Sequence, residues 1–261
     1  MNPKLITIIT VCFNAEKTIE KTILSIINQT YANIEFIIID GGSTDGTIDI
    51  IKKYEDKISS WISEPDRGIY DAMNKGIDLA KGEWINFMNS GDLFYDENTI
   101  TDIFESLKGQ DINRISIIYG KTLYKYTYGD YIVTPSNLKN IKKEMPFCHQ
   151  STFTKSEILK KEPFDLKYKI CADHFSFLTI YNLYPNQFYY IPIPISIFDA
   201  INGISSNNYV TVNNELQQIT KSSSNIFYSF FKKNILNKLP SFISQRAHQI
   251  LYFFNKRFHK I

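Results

Sequence analysis

The chain has 261 residues, of which 43% are hydrophobic, and this is enough to build one large globular domain. Three cysteines at wide, unrelated spacings exclude a disulfide framework or a zinc motif, and no run approaches the ~20 apolar residues of a membrane-spanning helix. Eight of the 29 basic residues and none of the 27 acidic residues lie after residue 220, so residues 1–220 carry a formal charge of −6. We therefore predict an acidic body with a basic tail that contacts something anionic.

Strands and helices alternate over about the first 110 residues. Short runs of consecutive apolar residues predict buried strands, and apolar residues at helical spacing predict helices. The predicted strands are Leu5–Val11, Ile34–Ile39, Trp61–Ser63 and Trp84–Met88. The predicted helices are Ala15–Asn28, Asp45–Tyr54 and Tyr70–Ala80. Gly82 follows the third helix in the manner of a glycine C-cap. This alternation predicts an α/β fold with a doubly wound, mixed but mostly parallel sheet flanked by helices.

An acidic residue ends the second predicted strand. Four apolar residues, Phe36–Ile39, lead directly into Asp40, and two glycines then allow a sharp turn. Because open α/β sheets bind ligands at the carboxyl ends of their strands, we expect polar strand-end residues to gather there. The chain contains neither GxGxxG after the first strand nor GxxxxGK[ST], so it is neither a usual dinucleotide-binding domain nor a P-loop enzyme.

The second half of the chain carries weaker signals. Alternating residues over 123–128, followed by Gly129-Asp130, predict a β-hairpin. The polar segment Asn202–Asn208 predicts a flexible loop. Residues 225–261 contain no acidic residue and predict two amphipathic helices separated at Pro240, the second including Phe258. Such helices could lie at a membrane surface, or could pack on the body or on a second copy of it.

Four sequence blocks occur in order within the first 92 residues. They read TVCFN, DGGSTDGT, EPDRGIYDAMNKG and GEWINFMNSGD, and PFCHQSTF and CADHFSF follow later. Together they resemble family 2 glycosyltransferases of the GT-A fold. The resemblance implies a glycosyltransferase domain over residues 1–220 and leaves 221–261 as the basic tail. Within that domain, residues 1–110 would bind a nucleotide-diphosphate sugar and residues 111–220 the acceptor.

The resemblance also implies which residues contact the donor. The carboxylate of Asp40 would accept a hydrogen bond from the imide N–H of uracil or a similar base, and Thr10 and Asn14 would touch the base or ribose. The implied donor contacts are Thr10, Val11, Asn14, Asp40, Asp66, Arg67, Asp71, Asn89, Ser90 and Gly91. Plainer interpretations remain for several of them: Asp40 could cap its loop, Thr10 and Asn14 could be ordinary strand-end polar residues, and Arg67 could be a solvated charge.

Asn89-Ser90-Gly91-Asp92 stands where the family has its Asp-x-Asp metal motif, but it lacks the early carboxylate. Only Asp92 is an obvious ligand for Mn²⁺ or Mg²⁺, which prefer oxygen donors. We therefore expect a weak metal site, filled largely by phosphate oxygens and water. The alternative is that these four residues form only a turn.

By the same resemblance, Asp173 is the general base of an inverting transferase, because such an enzyme must remove the proton of the attacking acceptor hydroxyl. Asp173 opens a predicted helix, whose N-terminus should lower its pKa, although a plain helix-capping role is the alternative. The resemblance places His149 and Gln150 on the acceptor or diphosphate side of the site.

These observations predict a metal-dependent, inverting glycosyltransferase that uses a nucleotide-diphosphate sugar, with UDP favoured. Its acceptor would be a lipid-linked glycan in cell-surface polysaccharide biosynthesis, and nucleic acid is not an expected partner. The tail, residues 225–261, would bind the anionic inner face of the cytoplasmic membrane from the cytoplasm, and a homodimer is an alternative use of it. Other possibilities are a non-catalytic nucleotide- or carbohydrate-binding relative and a sugar nucleotidyltransferase. A sugar nucleotidyltransferase would carry a glycine-rich basic loop after the first strand. This chain has CFNAEKT at that position, which argues against that class.

Overall fold

A computed structural model describes residues 4–127, 129–201, 208–220 and 258–260. Within these ranges the chain forms ten strands and seven α-helices. The strands are β1 (Ile6–Cys12), β2 (Ile34–Asp40), β3 (Ser60–Ser63), β4 (Trp84–Phe87), β5 (Leu93–Phe94), β6 (Ile117–Tyr126), β7 (Gly129–Val133), β8 (Thr152–Lys155), β9 (Phe188–Asp199) and β10 (Phe258–Lys260). The helices are α1 (Ile19–Ile27), α2 (Thr47–Lys53), α3 (Ile69–Leu79), α4 (Thr99–Ser106), α5 (Ser156–Lys161), α6 (Ala172–Leu183) and α7 (Tyr209–Thr220).

The strands form one mixed sheet in the order β10-β7-β6-β8-β4-β1-β2-β3, with β9 beside β6 and β5 beside β9. The first four strands are mutually parallel, and β8 joins them antiparallel to β4. β2 and β4 flank β1 on opposite sides, so the strand order reverses at β1. Ligands of open α/β sheets bind beside such a reversal, at the carboxyl ends of the strands.

The central strands are buried because most of their residues are apolar. Every residue of β1 is buried, as are all four residues of β4. The pairing register sets Cys12 opposite Asp40, so β1 and β2 end level with each other. Apolar clusters cover both faces of this region, one packed against α1 and α4 and the other against α3 and α6. The predicted mixed α/β architecture is therefore confirmed, as is the hairpin, in which β6 pairs antiparallel with β7.

Helix α1 is shorter at its start than predicted. It begins at Ile19 rather than Ala15. The backbone N–H of Ala15 donates to the hydroxyl of Thr47 (2.7 Å), and that of Glu16 donates to Asp45 (3.1 Å). These bonds fix the segment before α1 against the start of α2, so a long-range contact decides where the helix begins.

The predicted C-cap role of Gly82 is wrong. Helix α3 ends at Leu79, and its cap residue is Ala80 in an extended conformation. A Cβ on Gly82 would lie 2.6 Å from both the backbone nitrogen and the hydroxyl of Thr7 in β1. The glycine is needed for this close approach, through which its N–H donates to the Thr7 hydroxyl at 2.9 Å.

Most of the predicted tail lies outside the described residues. The same holds for residues 202–207 of the predicted loop, and the proposed boundary at residue 220 stays a prediction. The helical prediction is wrong for Phe258, because residues Phe258–Lys260 form β10, which pairs antiparallel with β7. Among the helices of the described part, none combines the length and the apolar character needed to cross a membrane.

Replacing Gly82 by Ala should destabilise the fold. The added methyl group would collide with the backbone of β1, and overpacking of this kind costs about 1–3 kcal/mol. Urea denaturation of the wild type and of Gly82→Ala measures the difference. Gly46→Ala is the control, because a Cβ there meets only the end of the flexible Glu16 side chain. Equal free energies of unfolding for the two variants would contradict this account of Gly82.

Candidate active site

The loop after β1 is bound to the loop after β2 through Asn14. This residue has a left-handed backbone (φ +48°), which Asn tolerates better than most residues. Its N–H donates to the Ser43 hydroxyl at 2.7 Å, and its side-chain oxygen accepts from the N–H of Thr44 at 2.9 Å. Asn14 thus holds together the two loops that follow the level strand ends.

The carboxylate of Asp40 is buried and accepts hydrogen bonds from the turn that follows it and from the end of β3. It accepts from the N–H groups of Gly42 (3.0 Å) and Ser43 (2.9 Å), from the Ser63 hydroxyl (2.7 Å) and from the Ser43 hydroxyl. Burial alone would raise the pKa of Asp40, but these hydrogen bonds outweigh it and hold the pKa below its usual value. Asp40 is therefore an ionised group that shapes the loop where the donor is predicted to bind.

Asp66, Arg67 and Asp71 form the next part of this edge. The guanidinium of Arg67 donates to Asp71 at 2.7 Å and 3.2 Å, and these bonds lower the pKa of Asp71. The Arg67 side chain is 76% exposed, so it remains accessible to an anion. The Asp66 carboxylate accepts from the N–H of Gly68 and also fills the space beside Gly41, where a Cβ would collide with it.

Residues 89–92 form a tight turn after β4. The N–H of Asp92 donates to the carbonyl oxygen of Asn89 at 2.9 Å, and Gly91 has the positive φ (+101°) that the third position of a type II turn requires. Ser90 and Gly91 are hydrogen-bonded to threonine side chains of the α1 segment, at 2.8 Å and 3.0 Å. The turn therefore presents Asn89 and Asp92 from a fixed backbone.

Asp92 is bonded to the second half of the chain. Its carboxylate accepts from the side-chain amide of Gln150 at 2.7 Å. Burial, helped by the negative charge of Asp199 at the end of β9, raises the pKa of Asp92 to about 6, against the opposing effects of Gln150 and His149. Because burial destabilises the ionised form of this carboxylate, a positive charge beside Asp92 would be stabilising.

A chain of hydrogen bonds crosses from this turn to helix α6. His149 Nδ1 lies 3.0 Å from Asp173 Oδ2, and because a carboxylate only accepts, Nδ1 carries the hydrogen. His149 Nε2 lies 3.2 Å from the side-chain nitrogen of Asn89. At the other end, the Tyr70 hydroxyl contacts Asp173 Oδ1 at 3.1 Å and the carbonyl oxygen of Ile170 at 2.6 Å. Hydrogen bonds thus connect Asn89, His149, Asp173 and Tyr70 in one continuous chain.

Asp173 is ionised and still accessible. Burial alone would raise its pKa, but hydrogen bonds from His149, from the N–H of His174 and from Tyr70 hold the pKa below its usual value, as predicted. Its side chain is 16% exposed. A carboxylate has about four lone-pair positions, and the structure fills three of them, so Oδ2 retains one for a further hydrogen-bond donor.

Glu215 of α7 is a buried residue that the sequence analysis missed. Its carboxylate accepts from the N–H groups of Lys169 (2.6 Å), Ile170 (3.0 Å) and Cys171 (2.9 Å). These residues immediately precede Asp173, so Glu215 fixes the segment that leads into α6. The only sequence signal was that Glu215 is the last acidic residue of the chain.

Two predicted donor residues lie inside the sheet. Thr10 is fully buried, and its hydroxyl donates to the carbonyl oxygen of Met88 at 2.7 Å. Val11 is 5% exposed and belongs to the apolar cluster under α3. The structure gives both side chains packing roles, and their contact with a nucleotide stays a prediction.

The oxygen donors on the turn fit a hard divalent cation. Asn89 Oδ1 is buried and has no hydrogen-bond partner among the described residues, and the Asp92 carboxylate is on the same turn. No group of three or more His, Cys, Asp or Glu side chains in the described part could hold a metal by itself. A cation here would therefore take few ligands from the protein and the rest from phosphate and water, as Mg²⁺ commonly does.

Comparison with known proteins identifies the class of protein that this fold and site define. Residues 7–162 match the model of glycosyl transferase family 2. The chain therefore belongs to glycosyltransferase family 2.

Individual relatives agree with this assignment. The chain is 27% identical over 185 residues to a PGL/p-HBAD biosynthesis glycosyltransferase of Mycobacterium bovis, covering 66% of this chain and 68% of that protein. The fold matches the mannosyltransferase PcManGT of Pyrobaculum calidifontis, in complex with GDP-Man and Mn²⁺, with a TM-score of 0.65 and 14% identity over 97% of this chain and 81% of that one.

A second solved structure with the same fold is Staphylococcus aureus TarS 1–349 in complex with UDP-GlcNAc. The TM-score is 0.63 at 16% identity, over 91% of this chain and 76% of that one. This chain spans 41% of the longer TarS chain. Both solved structures share the GT-A fold with this protein.

Replacing Asp40 by Asn should destabilise the protein in a pH-dependent way. One amide NH₂ would face the N–H donors that the carboxylate accepts, which costs about 1–3 kcal/mol near neutral pH. Because the folded-state pKa lies below the ordinary value of 3.8, the stabilisation by the carboxylate is complete above that value and is lost as the pH falls through the folded pKa.

The measurement is urea denaturation of the wild type and of Asp40→Asn at pH 7, 5 and 3, with the exposed Asp56→Asn as the control. The difference from the wild type should be the same at pH 7 and pH 5 and should shrink at pH 3. A difference that does not change with pH would show that the Asp40 charge does not stabilise the loop.

Proposed function

We propose that this protein transfers a sugar from a nucleotide-diphosphate sugar to an acceptor hydroxyl with inversion at the anomeric carbon. The observation that carries the proposal is the hydrogen-bonded chain Asn89–His149–Asp173. It joins the turn expected to bind the donor diphosphate to the helix that presents an ionised carboxylate.

On the donor side, the loops after β1 and β2 would enclose the nucleoside. We favour a UDP-sugar, with Asp40 facing the base and Asn14 near the ribose. The exposed guanidinium of Arg67, oriented by Asp71, would bind phosphate or the sugar. The TarS structure was determined with UDP-GlcNAc and the PcManGT structure with GDP-Man, so the same fold accepts different nucleotides.

Asn89 and Asp92 would hold a divalent cation, Mn²⁺ or Mg²⁺, and Gln150 orients the Asp92 carboxylate. The cation would neutralise charge on the departing diphosphate. Mn²⁺ in the PcManGT complex supports this assignment.

On the acceptor side, the free lone pair of Asp173 Oδ2 would accept the proton of the acceptor hydroxyl. The acceptor oxygen then bonds to the anomeric carbon from the face opposite the diphosphate. The bond between that carbon and the diphosphate oxygen breaks, and the diphosphate keeps the electron pair. His149 holds Asp173 in place through Nδ1, so it acts as a positioning residue.

The acceptor would be a lipid-linked glycan in the assembly of a cell-surface polysaccharide. Support comes from the tail, because residues after 220 carry eight basic and no acidic side chains. Each basic residue near an anionic membrane surface contributes about 1 kcal/mol of attraction. We propose that residues 225–261 hold the enzyme at the inner face of the cytoplasmic membrane.

A thermal-shift series should identify the nucleotide and test the metal site. One of UDP, GDP, dTDP and CDP, at about 100 times its Kd with Mn²⁺, should raise Tm by roughly 5–10 °C, since ligand bound only to the native state stabilises it. Asp92→Ala should lose the Mn²⁺-dependent part of this shift, whereas the exposed Asp102→Ala should keep it. No shift with any of the four would argue against a nucleotide-diphosphate donor.

Replacing Asp173 by Asn should remove transfer without unfolding the protein. The amide cannot accept the acceptor proton as the carboxylate does, so transfer should fall by about 10²–10⁴-fold. The assay follows release of the nucleoside diphosphate in the presence of acceptor, and the Mn²⁺-dependent thermal shift verifies that the donor site is intact. Asp78→Asn, an exposed acid on α3, is the control. Full activity of Asp173→Asn would contradict the assignment of the base.

A further inference from the structure

A cavity of about 380 Å³ lies in the second half of the chain, and none of its lining residues belongs to the Asn89–His149–Asp173 chain. Its size is within the range of small-molecule sites. The lining residues come from β6, from β9 and from the segment between β7 and residue 138. They are Tyr119, Pro135, Ser136, Asn137, Leu138 and Tyr190.

Two tyrosines form the aromatic wall of this cavity. The ring centres of Tyr119 and Tyr190 are 5.5 Å apart, and the rings are tilted by 43°. Tyr119 is buried, whereas Tyr190 is 37% exposed. Among the residues that the structure describes, no hydrogen bond engages either phenolic hydroxyl, so both hydroxyls are available to a ligand.

The remaining wall supplies further unused polar groups. Ser136 is 91% buried, and its hydroxyl has no partner among the described residues. The side-chain oxygen of Asn137 accepts from the N–H of Lys139, which leaves its NH₂ group as a donor. The cavity therefore combines aromatic faces with hydroxyl and amide groups, and none of its six lining residues is charged.

The cavity is packed directly against the elements that carry the proposed catalytic group. The N–H of Ser136 donates to the carbonyl oxygen of Pro146 at 2.8 Å. The centre of the Phe147 ring lies 4.8 Å from the ring centre of Tyr119 and 5.2 Å from the ring centre of Phe177 in α6. Phe147 is two residues before His149, and Phe177 is one helical turn after Asp173, so the cavity has a fixed position relative to both.

We propose that this cavity binds a neutral sugar ring of the acceptor, beyond the sugar or group that receives the transferred residue. A pyranose has apolar C–H faces that suit the tyrosine rings, and hydroxyl groups that suit Ser136, Asn137 and the phenols. A diphosphate would find no cationic side chain among the lining residues, and an alkyl chain would leave the buried hydroxyl of Ser136 unsatisfied. The proposal rests on the proposed transferase function, because it assigns the acceptor as a glycan.

The test is saturation-transfer NMR of the full chain with methyl glycosides of glucose, galactose, mannose, N-acetylglucosamine and rhamnose as probes. The wild type should transfer saturation to the ring protons of at least one of them. Tyr190→Ala should lose most of that signal, with Kd roughly tenfold higher, as expected when one aromatic anchor is removed. Tyr190→Phe keeps the ring and should keep most of the signal.

Leu183→Ala removes another exposed apolar side chain of the same half, 55% exposed at the end of α6, and should bind like the wild type. No signal with the wild type, or an equal signal with Tyr190→Ala, would overturn the sugar subsite. The nucleotide thermal shift on the same samples separates the two proposals. A Tyr190-dependent sugar signal without any nucleotide-induced thermal shift would support the sugar subsite and contradict the transferase function. A nucleotide-induced shift without a Tyr190-dependent sugar signal would support the transferase function and contradict the subsite.

Discussion

The two ring nitrogens of His149 connect the halves of this protein at the candidate active site. Nε2 lies beside Asn89 on the turn after β4, and Nδ1 donates to Asp173 at the start of α6. Gln150, the next residue, bonds Asp92 on the same turn. His149 and Gln150 thus bind the turn after β4 to the second half of the chain, and His149 connects that turn to Asp173. Apolar packing of α6 against the sheet holds the helix from its other side.

Much of the fold can be predicted from the sequence, because the central strands are defined by short-range patterns. Phe36–Ile39 is a continuous apolar run that is followed at once by an acid, and all four of its residues are buried, as a short strand covered on both faces requires. The blocks around Asp92, His149 and Asp173 identified residues that the fold brings into one hydrogen-bonded region. The start of α1 could not be predicted, since it depends on bonds from residues 15 and 16 to a loop about 30 positions away.

The features that sequence reasoning missed all depend on contacts between distant segments. Gly82 follows a helix and so suggests a C-cap, but it is required by the backbone of β1. Tyr70 lies in a helix of mixed composition, and nothing local indicates that its hydroxyl reaches Asp173. In each case the residue type fits two roles, and only its spatial neighbour decides between them.

The carboxylate of Glu215 has a consequence for how the domain can be divided. It accepts from three successive N–H groups in the segment that leads into α6. A chain shortened to remove the basic tail must therefore keep Glu215 and the helix that carries it. A protein that ended before residue 215 would lose the acceptor for these three donors, close to Asp173. The carboxylate of Asp173 would then lose its fixed position, even though Asn89, His149 and Asp173 were all still present.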